Sequence, residues 1–169
     1  LKKLLSLHKP ETVYLASWLE EAGISRDLQT YYRRSGWLEA IGKGAVKWPG
    51  DDLRWQGGLY ALQTQARLPI HPGGMTALSM LGLAHYLRLG VETVFLFDAP
   101  KKSLPAWFRS HDWKVALRHI KTSILPDMLG LTKHEEKSFT IKISTAERAI
   151  LECLYLAPDE QVLVECYQV

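Results

Sequence analysis

The stretch Gly23-Ile24-Ser25-Arg26-Asp27-Leu28-Gln29-Thr30-Tyr31-Tyr32-Arg33-Arg34-Ser35-Gly36, followed by Trp37-Leu38-Glu39-Ala40-Ile41-Gly42-Lys43-Gly44-Ala45-Val46-Lys47-Trp48, decides how the chain folds. Gly23 is a helix stop, because glycine enters the left-handed conformation without strain. Ile24 reads as a buried turn residue and Ser25 as the cap of a helix over residues 26–34. At about 100° per residue, Leu28, Tyr31, Tyr32 and Ser35 share one arc. Arg26, Gln29, Thr30 and Arg33 share the opposite one, with Arg34 at its edge. The first arc is expected to pack on a core. The second offers guanidiniums, an amide and a hydroxyl, the groups that read base edges and grip phosphates. A lone helix with this pattern would be no more than a solvated face. Its neighbours change that reading. Residues 37–41 and 45–48 read as strands joined by the turn Gly42-Lys43-Gly44, a hairpin carrying Lys43 and Lys47.

Working outward, residues 12–22 read as a preceding helix with the stripe Val13, Leu15, Ala16, Leu19 and Ala22. Residues 1–7 read as a further piece of helix, stopped by Pro10. Helix, glycine turn, polar-faced helix and basic hairpin describe a winged helix-turn-helix, whose second helix enters the major groove. The expected DNA contacts are Ser25, Arg26, Gln29, Thr30, Arg33 and Arg34 on the helix, with Lys43 and Lys47 on the wing.

Pro49-Gly50-Asp51-Asp52 is a linker, which divides the chain into 1–50 and 51–169. In the second part Leu59, Leu62 and Ala66 suggest a helix to about residue 67, and residues 75–87 suggest another. Val94-Phe95-Leu96-Phe97 is a short continuous apolar run, as in a strand covered on both faces. Trp113, Val115 and Leu117 alternate like a strand after a Pro/Lys loop, as do Phe139, Ile141 and Ile143. Ser144 and Glu147 have capping-box spacing before a stripe of Ala146, Ala149, Ile150, Cys153 and Leu154. The expected fold class is α+β, a winged helix-turn-helix followed by a mixed α/β domain.

The 169 residues are 47% hydrophobic and 23% charged, ordinary globular proportions that exclude disordered and coiled-coil classes. No apolar run reaches the ~18 residues of a membrane span. Two cysteines, Cys153 and Cys166, make no disulfide framework, and no signal peptide is visible, so a cytoplasmic location is expected. The first methionine is Met75 and the end, Val162 to Val164 plus Tyr167, is an apolar run. Both features suggest a piece cut short at each end. The net charge of +3 is unevenly spread. Residues 1–50 hold eight Lys/Arg against five acids, residues 101–121 six against one, and residues 122–169 four against eight. Two basic blocks point to a polyanionic partner.

Sites of covalent or metal chemistry are scarce. The histidines at 8, 71, 85, 111, 119 and 134 show no paired ligand spacing, and neither cysteine has a near partner. His85 reads as a core histidine and His71 as a turn residue. No P-loop and no G-x-S-x-G elbow is present. No metal site and no cofactor are expected. Pro126-Asp127 with Glu135-Glu136-Lys137 matches the PD…ExK pattern of metal-dependent nucleases, in which two acids hold a divalent ion and lysine steadies the phosphate. That nuclease reading is one alternative. Lys101, Lys102, Arg109, Lys114, Arg118 and Lys121, interleaved with Trp107, Phe108 and Trp113, are a second candidate surface. Charge and stacking could there hold single-stranded nucleic acid, or the face could dock a protein without any DNA binding.

The ordered series of segments resembles AbiEi-type antitoxins, the antitoxin half of the abortive-infection type IV toxin–antitoxin systems. The resemblance runs over roughly residues 12–155. It begins with Gly23-Ile24-Ser25-Arg26, Tyr31 to Glu39 and Ile41 to Ala45, and continues through Trp55-Gln56-Gly57-Gly58-Leu59 and Ala61-Leu62-Gln63. Ile70-His71-Pro72-Gly73-Gly74-Met75-Thr76-Ala77-Leu78, Gly82, Ala84 to Leu87, Leu104-Pro105-Ala106-Trp107 and Ser144 to Glu152 complete it. It implies an N-terminal domain that represses its own operon by binding operator DNA. It also implies a C-terminal domain that counteracts a nucleotidyltransferase toxin without a stable complex, with no enzymatic activity of its own and a part in phage defence. The D-x-D/E carboxylates such a toxin needs for its metal are missing here.

Overall fold

The computed structural model of the chain describes residues 1–84, 90–100 and 103–160. In chain order its elements are α1 (Lys2–Ser6), β1 (Tyr14–Leu15), α2 (Ala16–Glu21), α3 (Arg26–Arg34), β2 (Glu39–Gly42), β3 (Ala45–Lys47) and α4 (Trp55–Thr64). They continue as β4 (His71–Pro72), α5 (Gly74–Met80), β5 (Thr93–Asp98), α6 (Ala106–Ser110) and β6 (Ala116–Lys121). β7 (Leu131–Glu135), β8 (Thr140–Ser144) and α7 (Ala146–Glu160) follow. The architecture is α+β, in two compact units. One is built from Leu1–Leu68, Ser103–Trp113 and Glu135–Thr140, the other from Pro69–Lys102, Lys114–His134 and Ile141–Val169.

In the first unit, α2 and α3 meet through the turn at Gly23, whose φ of +82° only glycine adopts freely. The hairpin β2–β3 follows, and β1 adds to it antiparallel, giving the order β1-β3-β2. Tyr14 faces Val46 and Leu15 faces Ala45 across the ladder. This is a winged helix-turn-helix. The sequence suggested a helix from residue 12, but the helix begins at Ala16. Val13, Tyr14 and Leu15 are all buried. Such a continuous run suits a strand covered on both sides, not one stripe of a helix. The side chain of Gln65, just past α4, extends this pairing: Leu15 N–H donates to its Oε1 at 2.8 Å and its Nε2 donates to Val13 C=O at 2.8 Å. Leu4, Tyr14, Leu19, Ile24, Tyr32, Leu38 and Val46 form the core beneath the helices. Each buried aliphatic or aromatic side chain there contributes roughly 1.5–3 kcal/mol.

The first unit also holds α6, where the sequence suggested only a loop. Trp107 and Phe108 are buried on it, and Trp113 packs against both, its indole N–H donating to Phe108 C=O at 2.7 Å. Trp113 is therefore a core residue ahead of a strand that starts at Ala116.

In the second unit the sheet order is β4-β5-β6, with β4 antiparallel and β6 parallel to the central strand. Val94 to Phe97 are all buried there, as the apolar run suggested. α5 ends at Met80, short of the helix expected over 75–87; residues 85–89 of that span, with His85, lie outside the described residues. β7, unexpected from the sequence, pairs with β8. Along α7 the inward residues are Arg148, Ala149, Glu152, Cys153 and Ala157, while Ile150 and Leu154, expected in the stripe, are 44% and 48% exposed. The capping box also shifts by one residue. Thr145 Oγ1, not Ser144, accepts the helix N–H of Arg148 at 3.5 Å. No helix among the described residues is long and apolar enough to cross a membrane.

Candidate nucleic-acid interface

α3 forms because its start is capped and its body lacks helix breakers. Ser25 Oγ accepts the N–H of Leu28 at 3.4 Å, satisfying one of the orphan donors of the first turn. Its buried residues are Gln29, 5% exposed, and Tyr32, 4% exposed. The expected arcs were therefore turned by roughly 100°. Gln29 is not on the groove-facing side: its Nε2 donates to Ala16 C=O at 3.0 Å and to Ile24 C=O at 2.9 Å. The amide braces the first residue of α2 to the turn before α3, and pairs the Ile24 carbonyl that burial would otherwise leave without a donor. Tyr31 and Leu28, which periodicity turns inward, are 62% and 36% exposed. With Gln29 and Tyr32 facing in, Asp27, Thr30, Tyr31 and Arg34 span the outward arc of roughly 100°, flanked by Arg26 and Arg33.

The cations around this arc differ in what holds them. Arg26 Nε lies 2.8 Å from Glu20 Oε1 at an exposed position. Arg33 donates to Thr30 Oγ1 at 3.0 Å. Lys47 donates to Asp51 C=O at 3.1 Å and sits 3.4 Å from Glu39 Oε2, its side chain only 16% exposed. Lys47 thus braces the hairpin's base. Arg34 and Lys43 are exposed and have no hydrogen bond or ion pair among the described residues. Asp27, also exposed, has none either. Sequence periodicity gave no signal for Asp27 and Tyr31, because the apolar pattern Leu28–Tyr31–Tyr32 pointed the other way.

The second basic stretch divides. Arg109 is exposed in the first unit, while Lys114, Arg118 and Lys121 are exposed in the second. Lys101 and Lys102 lie outside the described residues. Trp107, Phe108 and Trp113 are 4%, 0% and 5% exposed, so these rings pack a core and present no stacking platform for bases. Of the nuclease-like residues, exposed Asp127 belongs to the second unit, and Glu135 and Lys137 to the first. Glu136 Oε2 lies 3.4 Å from Arg54. Among the described residues no group of three or more His, Cys, Asp or Glu is arranged to hold a metal ion.

One further charged cluster lies in the second unit, wholly inside it. Glu152, 1% exposed, receives His71 Nε2 at 3.0 Å and Arg148 Nε at 2.8 Å on Oε1. Its Oε2 accepts the Gly74 N–H at 2.9 Å and the Ser144 hydroxyl at 2.8 Å. Arg148 also donates to Pro126 C=O at 2.8 Å and to Leu129 C=O. Burial pushes the Glu152 carboxyl up, but the hydrogen bonds from His71, Arg148 and Ser144 and the His71 charge outweigh it and hold the group below the usual carboxylate range. A side chain at Gly73 would overlap the carboxylate. With both carboxylate oxygens engaged and the side chain buried, this cluster ties β4, β8 and α7 together.

Fold and surface thus define a winged-helix protein with a second α/β unit and an outward helix face rimmed by cations. The family comparison places it more closely. Residues 1–89 match the family described as transcriptional regulator, AbiEi antitoxin N-terminal domain, and residues 91–169 the one described as transcriptional regulator, AbiEi antitoxin, type IV TA system. The chain belongs to the AbiEi antitoxin family, a family of transcriptional regulators. No curated protein matches the chain significantly. Among solved structures, the RV2827C protein from Mycobacterium tuberculosis is similar at 23% identity and a TM-score of 0.41, over 66% of this chain and 41% of that one. The chain thus spans less than half the length of that protein.

Proposed function

We propose that this protein represses its own operon by binding operator DNA through the winged helix-turn-helix of residues 1–50. The mixed α/β part, residues 51–169, serves as antitoxin against a nucleotidyltransferase toxin, acting without a stable complex and inside the cytoplasm. The observation that carries the DNA reading is the outward arc of α3, where Arg34 is exposed, together with exposed Lys43 of the wing, both unpaired among the described residues. Unpaired cations on a groove-sized helix release counterions from phosphate without breaking internal ion pairs first. Thr30 and Arg33 contribute from the rim and Arg26 after exchanging Glu20 for phosphate. Ser25 acts as the cap that fixes the helix start, and Lys47 acts through the wing's rigidity.

The test is anisotropy binding to the duplex upstream of the gene, against a scrambled duplex, over a range of salt. Preference for the upstream duplex by ~10³ or more supports an operator-reading regulator. Equal, salt-steep affinity for both duplexes would leave only a phosphate-gripping surface and contradict the proposal.

A further inference from the structure

The outward arc of α3 holds an acid where a phosphate-binding surface has no use for one. Asp27 is exposed, lies in the first turn of the helix, and has no ion-pair or hydrogen-bond partner among the described residues. Its nearest cations in sequence are otherwise engaged or turned aside: Arg26 is held by Glu20, and Arg33 by Thr30 on the flank. Against phosphate alone a carboxylate at the centre of the arc is repulsive. Against base edges its best partner is cytosine: the N4 amino group donates with no acceptor beside it, whereas the adenine N6 donor sits next to the N7 lone pair, which repels a carboxylate. Four residues on, Tyr31 stands 62% exposed on the same arc, about 6 Å further along the helix axis. That separation corresponds to roughly two base-pair steps.

We propose that Asp27 is a specificity-determining residue of this protein, accepting a hydrogen bond from a cytosine N4 in the major groove, with the Tyr31 ring covering a base edge about two steps along. The inference rests on the operator-binding reading above. The amide that the sequence offered as the base reader, Gln29, is turned inward and braces the helix-turn-helix. Thr30 and the arginines of this face suit phosphate as well as bases, whereas the acid suits a base donor alone.

The experiment is selection of a fully randomised duplex library by the full chain, in parallel for wild type, Asp27→Asn and Asp27→Ala, with circular dichroism confirming that each variant is folded. Wild type is expected to select C·G at one position of the site by at least about fivefold over the other pairs. Asp27→Asn is expected to move that preference to A·T, since asparagine pairs with adenine N6 and N7. Asp27→Ala is expected to lose preference at that pair only. A wild type that selects a defined sequence, with both variants selecting the same bases at higher uniform affinity, overturns the inference and leaves the operator reading standing. A wild type that selects no sequence overturns both. Asp27→Asn keeps the side chain's size, so its result stands even where Asp27→Ala weakens the helix start.

Discussion

Arg34 and Arg148 are the same residue used in opposite ways. Arg148 is 7% exposed and donates to Glu152 and to the carbonyls of Pro126 and Leu129. Arg34 is exposed and, among the described residues, has nothing to donate to. The first arginine has been taken out of water and is compensated from several directions, so its removal is a stability event. The second remains solvated and available, so its removal is a binding event. The same contrast separates Glu152 from Asp27. What a charged residue does in this protein follows from its inventory of partners, not from its type.

The largest effect expected from that contrast is at the buried cluster. Glu152→Ala leaves the Arg148 guanidinium buried without its carboxylate, and should cost about 3–5 kcal/mol in denaturant unfolding. A loss below about 1 kcal/mol would mean that the cluster is wetter than its burial implies. Gln29→Ala comes next. It strands the buried carbonyl of Ile24 and removes the tie to Ala16, and should cost about 1–3 kcal/mol of stability.

The acid response of the cluster is smaller and has a definite sign. The folded Glu152 carboxyl titrates below its unfolded value. Its contribution is therefore complete above the unfolded pKa and is lost as pH falls through the folded one. The stability gap between wild type and Glu152→Gln should narrow as pH falls below about 4. A gap that widened with acid would reverse the assignment. Smallest of all is Lys47→Ala. Its contacts to Glu39 and Asp51 at the hairpin's base are partly solvated, and should contribute only about 0.2–1 kcal/mol of stability.

Much of the first unit was legible because it obeys local rules. Gly23, Ser25 and the 26–34 span are fixed by turn and capping chemistry that acts within a few residues, and the structure has α3 at Arg26–Arg34. The rotation of that helix was not legible. Apolar periodicity turned Leu28 and Tyr31 inward, whereas the buried position went to Gln29, whose amide ties the carbonyl of Ala16 in α2 to that of Ile24 in the turn. β1 was missed for a related reason: two residues become a strand only because β3 and the Gln65 side chain flank them. In the second unit the run Val94 to Phe97 announced a covered strand by composition alone. The cluster around Glu152 gave no such signal, since its members come from positions as far apart as His71 and Glu152. Such long-range polar pairing leaves no period in the sequence.

The measurement that tests the account most directly is one salt titration of operator-duplex anisotropy for wild type, Arg34→Ala and Gln29→Ala, at a temperature where all three are folded. The account predicts that Arg34→Ala weakens binding and lowers the salt slope by about 1, while folded Gln29→Ala binds as wild type does. Loss of binding in Gln29→Ala together with an unchanged Arg34→Ala would place the groove-facing side of α3 where the structure buries it, and would contradict the account.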